Sequence, residues 1–205
     1  MPERPARRDD GFTLIEVIIA VALLLGVAVA LGAFAIQGLH LAAEQQRAQL
    51  AVTVASERMD QVQRLTGSNA ELETLIVGRR ENAVRDAFTA SAAVPGVADT
   101  YPAATTSGST PVIPINQTVR RSGTDYRSTV LIGTCYQPFS GGTCTRLAGQ
   151  PADPGAASVA ARDRSRMIRV IVTVDYTGSC AGTTLCSFTT SGLFDTKGDV
   201  TWLTE

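Results

Sequence analysis

From Val17 to Ile36 every residue is apolar or glycine. That run of about 20 residues makes about 30 Å of helix, enough to cross a bilayer's hydrocarbon core. The pattern then changes. Gln37 to Leu65 contains no proline, and Ala48, Val52, Ala55, Met59 and Val62 recur at three- and four-residue steps, the period of one helical face. Glu44, Arg47, Glu57, Arg58 and Asp60 supply polar positions, and Thr66-Gly67-Ser68-Asn69 reads as the stop. The spacing predicts one helix of about 50 residues, about 80 Å long, apolar all round in its first half and amphipathic in its second.

Beyond it, Glu71 to Ala93 reads as a second helix, with Leu72, Leu75, Ile76, Val84, Ala87 and Phe88 on one face and Gly78 weakening its middle. Val94 to Pro114 is rich in Pro, Thr, Ser, Ala and Gly and reads as a loop. Strand signals fill residues 115–205. Ile115–Arg121 and Tyr126–Tyr136 make a hairpin about the turn Ser122-Gly123-Thr124-Asp125. In Met167–Tyr176 the apolar set Ile168, Val170, Val172 and Val174 alternates with the mixed set Arg169, Ile171, Thr173 and Asp175. Cys186–Phe194 and Val200–Leu203, joined by the turn Asp195–Asp199, complete an antiparallel sheet of about four or five strands. The expected fold class is α+β: a long N-terminal helix, transmembrane in its first half, packed on a small antiparallel β-sheet head.

Charge narrows the function classes. The formal net charge of -1 argues against a direct nucleic-acid-binding surface, which needs a basic excess. The only histidine, His40, abuts the apolar span, so no Ser-His-Asp set can be assembled, and no phosphate-binding glycine loop occurs. Asp195 and Asp199 are too few for a calcium cage. No enzyme, cofactor or metal site is therefore expected. Arg162, Arg164, Arg166 and Arg169, broken by Asp163, read as a solvated strand edge. Cys135, Cys144, Cys180 and Cys186 all follow the span, on the side expected to be oxidising. Of three possible connectivities, Cys135–Cys144 with Cys180–Cys186 is preferred, each pair closing a short loop rich in Gly, Ser and Thr. Their spacing does not suit zinc.

The start of the apolar run carries the most specific signal. A short polar leader ends in Gly11-Phe12-Thr13-Leu14-Ile15-Glu16, with one acid at the membrane edge. An acid at the margin of a lipid-facing span is a functional-site candidate. These residues resemble the cleavage and methylation signal of type IV prepilins and pseudopilins. The close match covers Gly11 to about Gln37. The leader departs from the family in having Asp9-Asp10 before the glycine, although Arg4, Arg7 and Arg8 keep positive charge on the side expected to stay inside. A secretory signal peptide has a shorter apolar core and a small-residue cleavage site. A plain anchor needs no Gly11-Phe12.

The resemblance implies a division into a leader at 1–11, a transmembrane half-helix at 12–36, an amphipathic half at 37–66, a helix and loop at 67–114, and a sheet head with the cysteines at 115–205. It implies that prepilin peptidase cuts between Gly11 and Phe12 and that the new Phe12 amine is methylated. Glu16, the fifth mature residue, is then the assembly residue, pairing with the Phe12 amine of a neighbour. Implied partners are the peptidase, other pilin or pseudopilin subunits, the assembly platform protein and its ATPase, and the lipid bilayer. The precursor is expected as a single-pass membrane protein, N-terminus cytoplasmic and head outside, and afterwards in a pilus or pseudopilus. Leu14–Leu24 and Ala51–Met59 further resemble minor pilins of the PilV type and GspI-type pseudopilins. A type II secretion pseudopilin, a DNA-uptake pilin and a membrane-anchored binding module without a filament role are the alternatives.

Overall fold

A computed structural model describes residues 13–66, 72–105, 110–155, 163–180 and 183–195. The chain is α+β, with a long N-terminal apolar helix and a small antiparallel sheet of five strands. Helix α1 runs Leu14–Thr66, 53 residues without a break. Residues 1–45 and 46–205 form two separate compact units. The expected stop at Gly67-Ser68-Asn69 lies outside the described residues, but α1 has Thr66 as its last residue.

The first unit has no buried side chain among its described residues. The second half of α1 instead buries Ala51, Val54, Ala55, Arg58, Val62 and Thr66. This corrects the phase read from the sequence. Ala55 and Val62 face the core and Met59 packs against it, but Ala48 and Val52 are exposed. The small residues Ala51 and Ala55 let the helix lie close to the sheet, so they, rather than Val52, define the buried stripe.

The expected helix at 71–93 is two helices, α2 (Leu72–Ile76) and α3 (Glu81–Ala90). Gly78 separates them with φ of +74°, where an L side chain is strained, and a Cβ there would stand 2.5 Å from the Thr110 carbonyl carbon. The glycine is thus a chain reversal under a crossing segment. Within the expected loop at 94–114, Tyr101–Pro102 forms the short strand β1.

The other strands are β2 (Asn116–Arg121), β3 (Thr124–Pro138), β4 (Arg164–Cys180) and β5 (Thr183–Asp195). The order is β1-β3-β4-β5, with β2 beside β1 on the same flank of β3, and every pairing is antiparallel. The hairpin turn is tighter than the sequence suggests. Only Ser122 and Gly123 lie outside the ladder, both at positive φ (47° and 80°), and Thr124 and Asp125 join β3. Two left-handed residues match the twist of the flanking strands. The expected strand Val200–Leu203 and residues 196–199 of its turn lie outside the described residues.

Both faces of the central strands are covered. Ile168, Val170, Val172 and Val174 of β4 meet Tyr126, Val130 and Ile132 of β3 beneath α1 and α2. On the opposite face Leu131 and Ile171 pack with Val84, Ala87 and Phe88 of α3 and with Val97 and Ile115. The head is therefore helix, sheet, helix, and of the mixed set of β4 Arg169, Ile171 and Thr173 are buried while Asp175 is half-buried.

Candidate functional site: the start of the first helix

Thr13 is the last described residue before α1, and its carbonyl accepts from the amides of Glu16 (3.0 Å) and Val17 (3.3 Å). These two bonds wind the first turn. The helix begins there because no glycine or proline follows until Gly26. Glu16 sits in that first turn, where the unpaired amides of a helix start favour a carboxylate. The acid is exposed, and so are its apolar neighbours, with Leu14 79% and Ile15 66% accessible. Downstream, Phe34 is 75% exposed. Side chains of this kind face water only at great cost. The helix is long and apolar enough to cross a membrane, and it suits a single-pass anchor.

Of the residues singled out from the sequence, Glu16 is placed at this helix start, whereas Gly11 and Phe12 lie outside the described residues. The prokaryotic N-terminal methylation motif matches residues 6–36. This segment is a type IV prepilin-like signal. Such a prepilin signal implies processing by prepilin peptidase and assembly with other pilins. No curated protein and no solved structure matches the chain.

In the head of this prepilin-like chain, disulfides join Cys135 to Cys144 and Cys180 to Cys186. The first lies at the end of β3, and the second ties the end of β4 to β5. The arginine cluster does not form a solvated edge, because β4 is an interior strand of the sheet. Arg169 is buried and donates to the carbonyls of Gly96 and Cys144 and to the Thr100 hydroxyl. Arg166 forms an ion pair with Asp153 at 2.6 Å. Arg162 lies outside the described residues.

Two polar centres, one half-buried and one buried, were not expected from the sequence. Asp153 accepts from the Thr134 hydroxyl (2.6 Å), the Tyr136 hydroxyl (2.7 Å), Arg166 and the Gly155 amide (2.9 Å). Burial alone pushes this carboxyl up, but those four donors outweigh it and hold it at about 2. Burial and the Asp153 carboxylate together raise the Tyr136 phenol. The second centre is Arg79, fully buried, which donates to the carbonyls of Ile113 and Val130. Burial, with the charge of Arg58, lowers its guanidinium to about 10. Pro-Ala-Asp-Pro-Gly at 151–155 does signal a turn in which an aspartate bonds the backbone two residues on. Nothing local marks Arg79. Among the described residues no cluster of acidic, histidine and cysteine side chains could hold a metal ion.

Proposed function

We propose that the protein is a minor pilin-like subunit that acts by assembly. Prepilin peptidase cuts between Gly11 and Phe12 and the Phe12 amine is methylated. A platform protein and its ATPase then move the subunit from the bilayer into a pilus or pseudopilus, with the head outside the cytoplasm. The observation that carries this reading is a conjunction: the methylation motif over residues 6–36 meets a helix whose first turn holds one acid and whose apolar side chains are exposed on every side. An apolar surface of that extent needs lipid or neighbouring helices.

Phe12 and Glu16 are four residues apart in the sequence, so one subunit carries both halves of a contact between neighbours. A charge in such a setting needs a partner, and removing one half leaves the other uncompensated. The pair fixes the stagger of neighbouring subunits more than it adds stability. The resemblance of Leu14–Leu24 and Ala51–Met59 to minor pilins favours a tip or priming subunit. Neighbouring genes separate a motility pilus, a DNA-uptake pilus and type II secretion. The test is Glu16→Ala. The variant is expected to be cleaved normally yet to enter sheared filaments at under about a tenth of the wild-type level, as loss of a buried ion-pair partner worth about 3–5 kcal/mol requires at minimum. Incorporation at the wild-type level contradicts the pairing.

A further inference from the structure

Arg146 stands in the loop after β3, yet it is anchored on both sides. Cys144, two residues before it, is held by its disulfide to Cys135. Thr145 exchanges both backbone bonds with Tyr136 (2.9 and 3.1 Å), and the Leu147 amide donates to the Tyr101 hydroxyl (2.9 Å). The Arg146 guanidinium lies 5.2 Å from the centre of the Tyr101 ring. It donates from Nε (3.0 Å) and Nη2 to the Thr100 carbonyl. Thr100 is fixed in turn, because its hydroxyl donates to the Gly96 carbonyl and accepts from buried Arg169. These bonds leave Nη1 of Arg146 without a partner among the described residues.

Arg146 shares an open cleft of about 270 Å³ with Arg85 of α3, and Phe88, Val97 and Pro102 give that cleft its apolar surface. Arg85 donates from Nη2 to the neutral Asn82 side chain (3.0 Å). Neither arginine forms an ion pair with a described acid. Clamping the Thr100 carbonyl accounts for one edge of one guanidinium. It explains neither the second arginine nor the want of an acid beside them. Two uncompensated guanidiniums suit an anion, and their planar forks match a carboxylate. The apolar lining asks that the carboxylate be carried on an apolar body. A cleft of this volume, at the lower end of small-molecule sites, takes one ring or a short branched chain and not a peptide segment. Because Arg146 is already held in place, binding costs little of its side-chain freedom.

We propose that this cleft binds a small apolar monocarboxylate, with Arg85 and Arg146 on the carboxylate and Phe88, Val97 and Pro102 against its body. The site uses no residue of the assembly reading. The test is fluorine NMR titration of para-fluorophenylacetate onto the full-length protein in lipid nanodiscs, with empty nanodiscs subtracted. The expected dissociation constant is below about 1 mM, an ordinary efficiency for a ligand of about eleven non-hydrogen atoms. The uncharged para-fluorophenylacetamide is expected to bind at least about tenfold more weakly, because the charge-assisted bonds are lost. Arg85→Gln is expected to weaken binding of the acid by a similar factor. Arg85 is exposed, so the same variant should keep the wild-type affinity for the amide and the wild-type midpoint in denaturant. Inorganic phosphate, which has charge but no apolar body, is expected not to displace the acid at equal concentration. No binding in the millimolar range, equal affinity for acid and amide, an Arg85→Gln variant that binds the acid as wild type does, or displacement by phosphate overturns the proposal.

Discussion

Asp153 is where the head's loop region is tied to its sheet. One carboxylate, bonded by Thr134 and Tyr136 from β3 and by Arg166 from β4, holds the turn at residues 150–155 onto two strands. Its folded value of about 2 lies below the ordinary 3.8. A carboxyl depressed by folding adds stability at pH values above the ordinary one, and that stability is lost as pH falls toward the folded value. The head is therefore expected to weaken between about pH 4 and pH 2. Asp153→Asn, compared with wild type by chemical denaturation at pH 2.5, 4 and 7, should flatten that acid limb; an unchanged limb places the sensitivity elsewhere. Arg79 is the second residue-scale device. Buried without an acidic hydrogen-bond partner among the described residues, it spends its donors on the Ile113 and Val130 carbonyls. Arg79→Met is expected to lower unfolding free energy by about 2–4 kcal/mol, since two buried acceptors lose charged donors. A loss under about 1 kcal/mol, by the same denaturation, would mean that apolar packing replaces them. The turn at Asp153 was legible in Pro-Ala-Asp-Pro-Gly, but its partners on β3 and β4 and the role of Arg79 were not. Arg169 was in principle legible: an arginine between Ile168 and Val170 in a strand buried on both faces has to find carbonyls, as it does at Gly96 and Cys144.

At the scale of elements, the pattern of apolar and polar positions revealed the type of the main elements. The long helix, the alternation of β4 and the β2–β3 hairpin are all visible as patterns. Boundaries were less so, because they are decided by tertiary contacts. Gly78 breaks a helix because the segment at Thr110 crosses above it, and no residue near Gly78 records that crossing. Gly133 is similar: a Cβ there would strike the Tyr101 carbonyl oxygen and the Thr100 methyl, so glycine lets β1 pair at Pro102↔Gly133. The disulfides close short loops, with sequence separations of 9 and 6. Loop closure of that size restricts the unfolded chain by about 2–3 kcal/mol each. Replacing Cys135 and Cys144 together by serine is expected to lower stability by about that amount. A midpoint in denaturant that matches the oxidised wild type would show that the loop after β3 is held without the disulfide, by the bridge between Tyr136 and Thr145 and by Asp153.

On the scale of the whole molecule, the chain joins an apolar segment whose described side chains are not buried to a head with a core of its own. The head covers both faces of its sheet. The first unit buries no side chain among its described residues, although it is the most apolar stretch of the sequence. That segment is long and apolar enough to cross a membrane, in line with the prepilin-like signal at 6–36. The signal was readable in the sequence because it is local: Gly11-Phe12, an acid four residues beyond Phe12 and an unbroken apolar run stand within one short stretch. The choice of machine was not, because the motif covers only residues 6–36 and is common to all of these systems. The most direct test is the intact mass and N-terminal sequence of the membrane-extracted protein, with and without the host's prepilin peptidase. The account predicts a peptidase-dependent start at Phe12 carrying one methyl group. A start at Met1 or Pro2 in both strains would contradict it and leave an ordinary anchored protein.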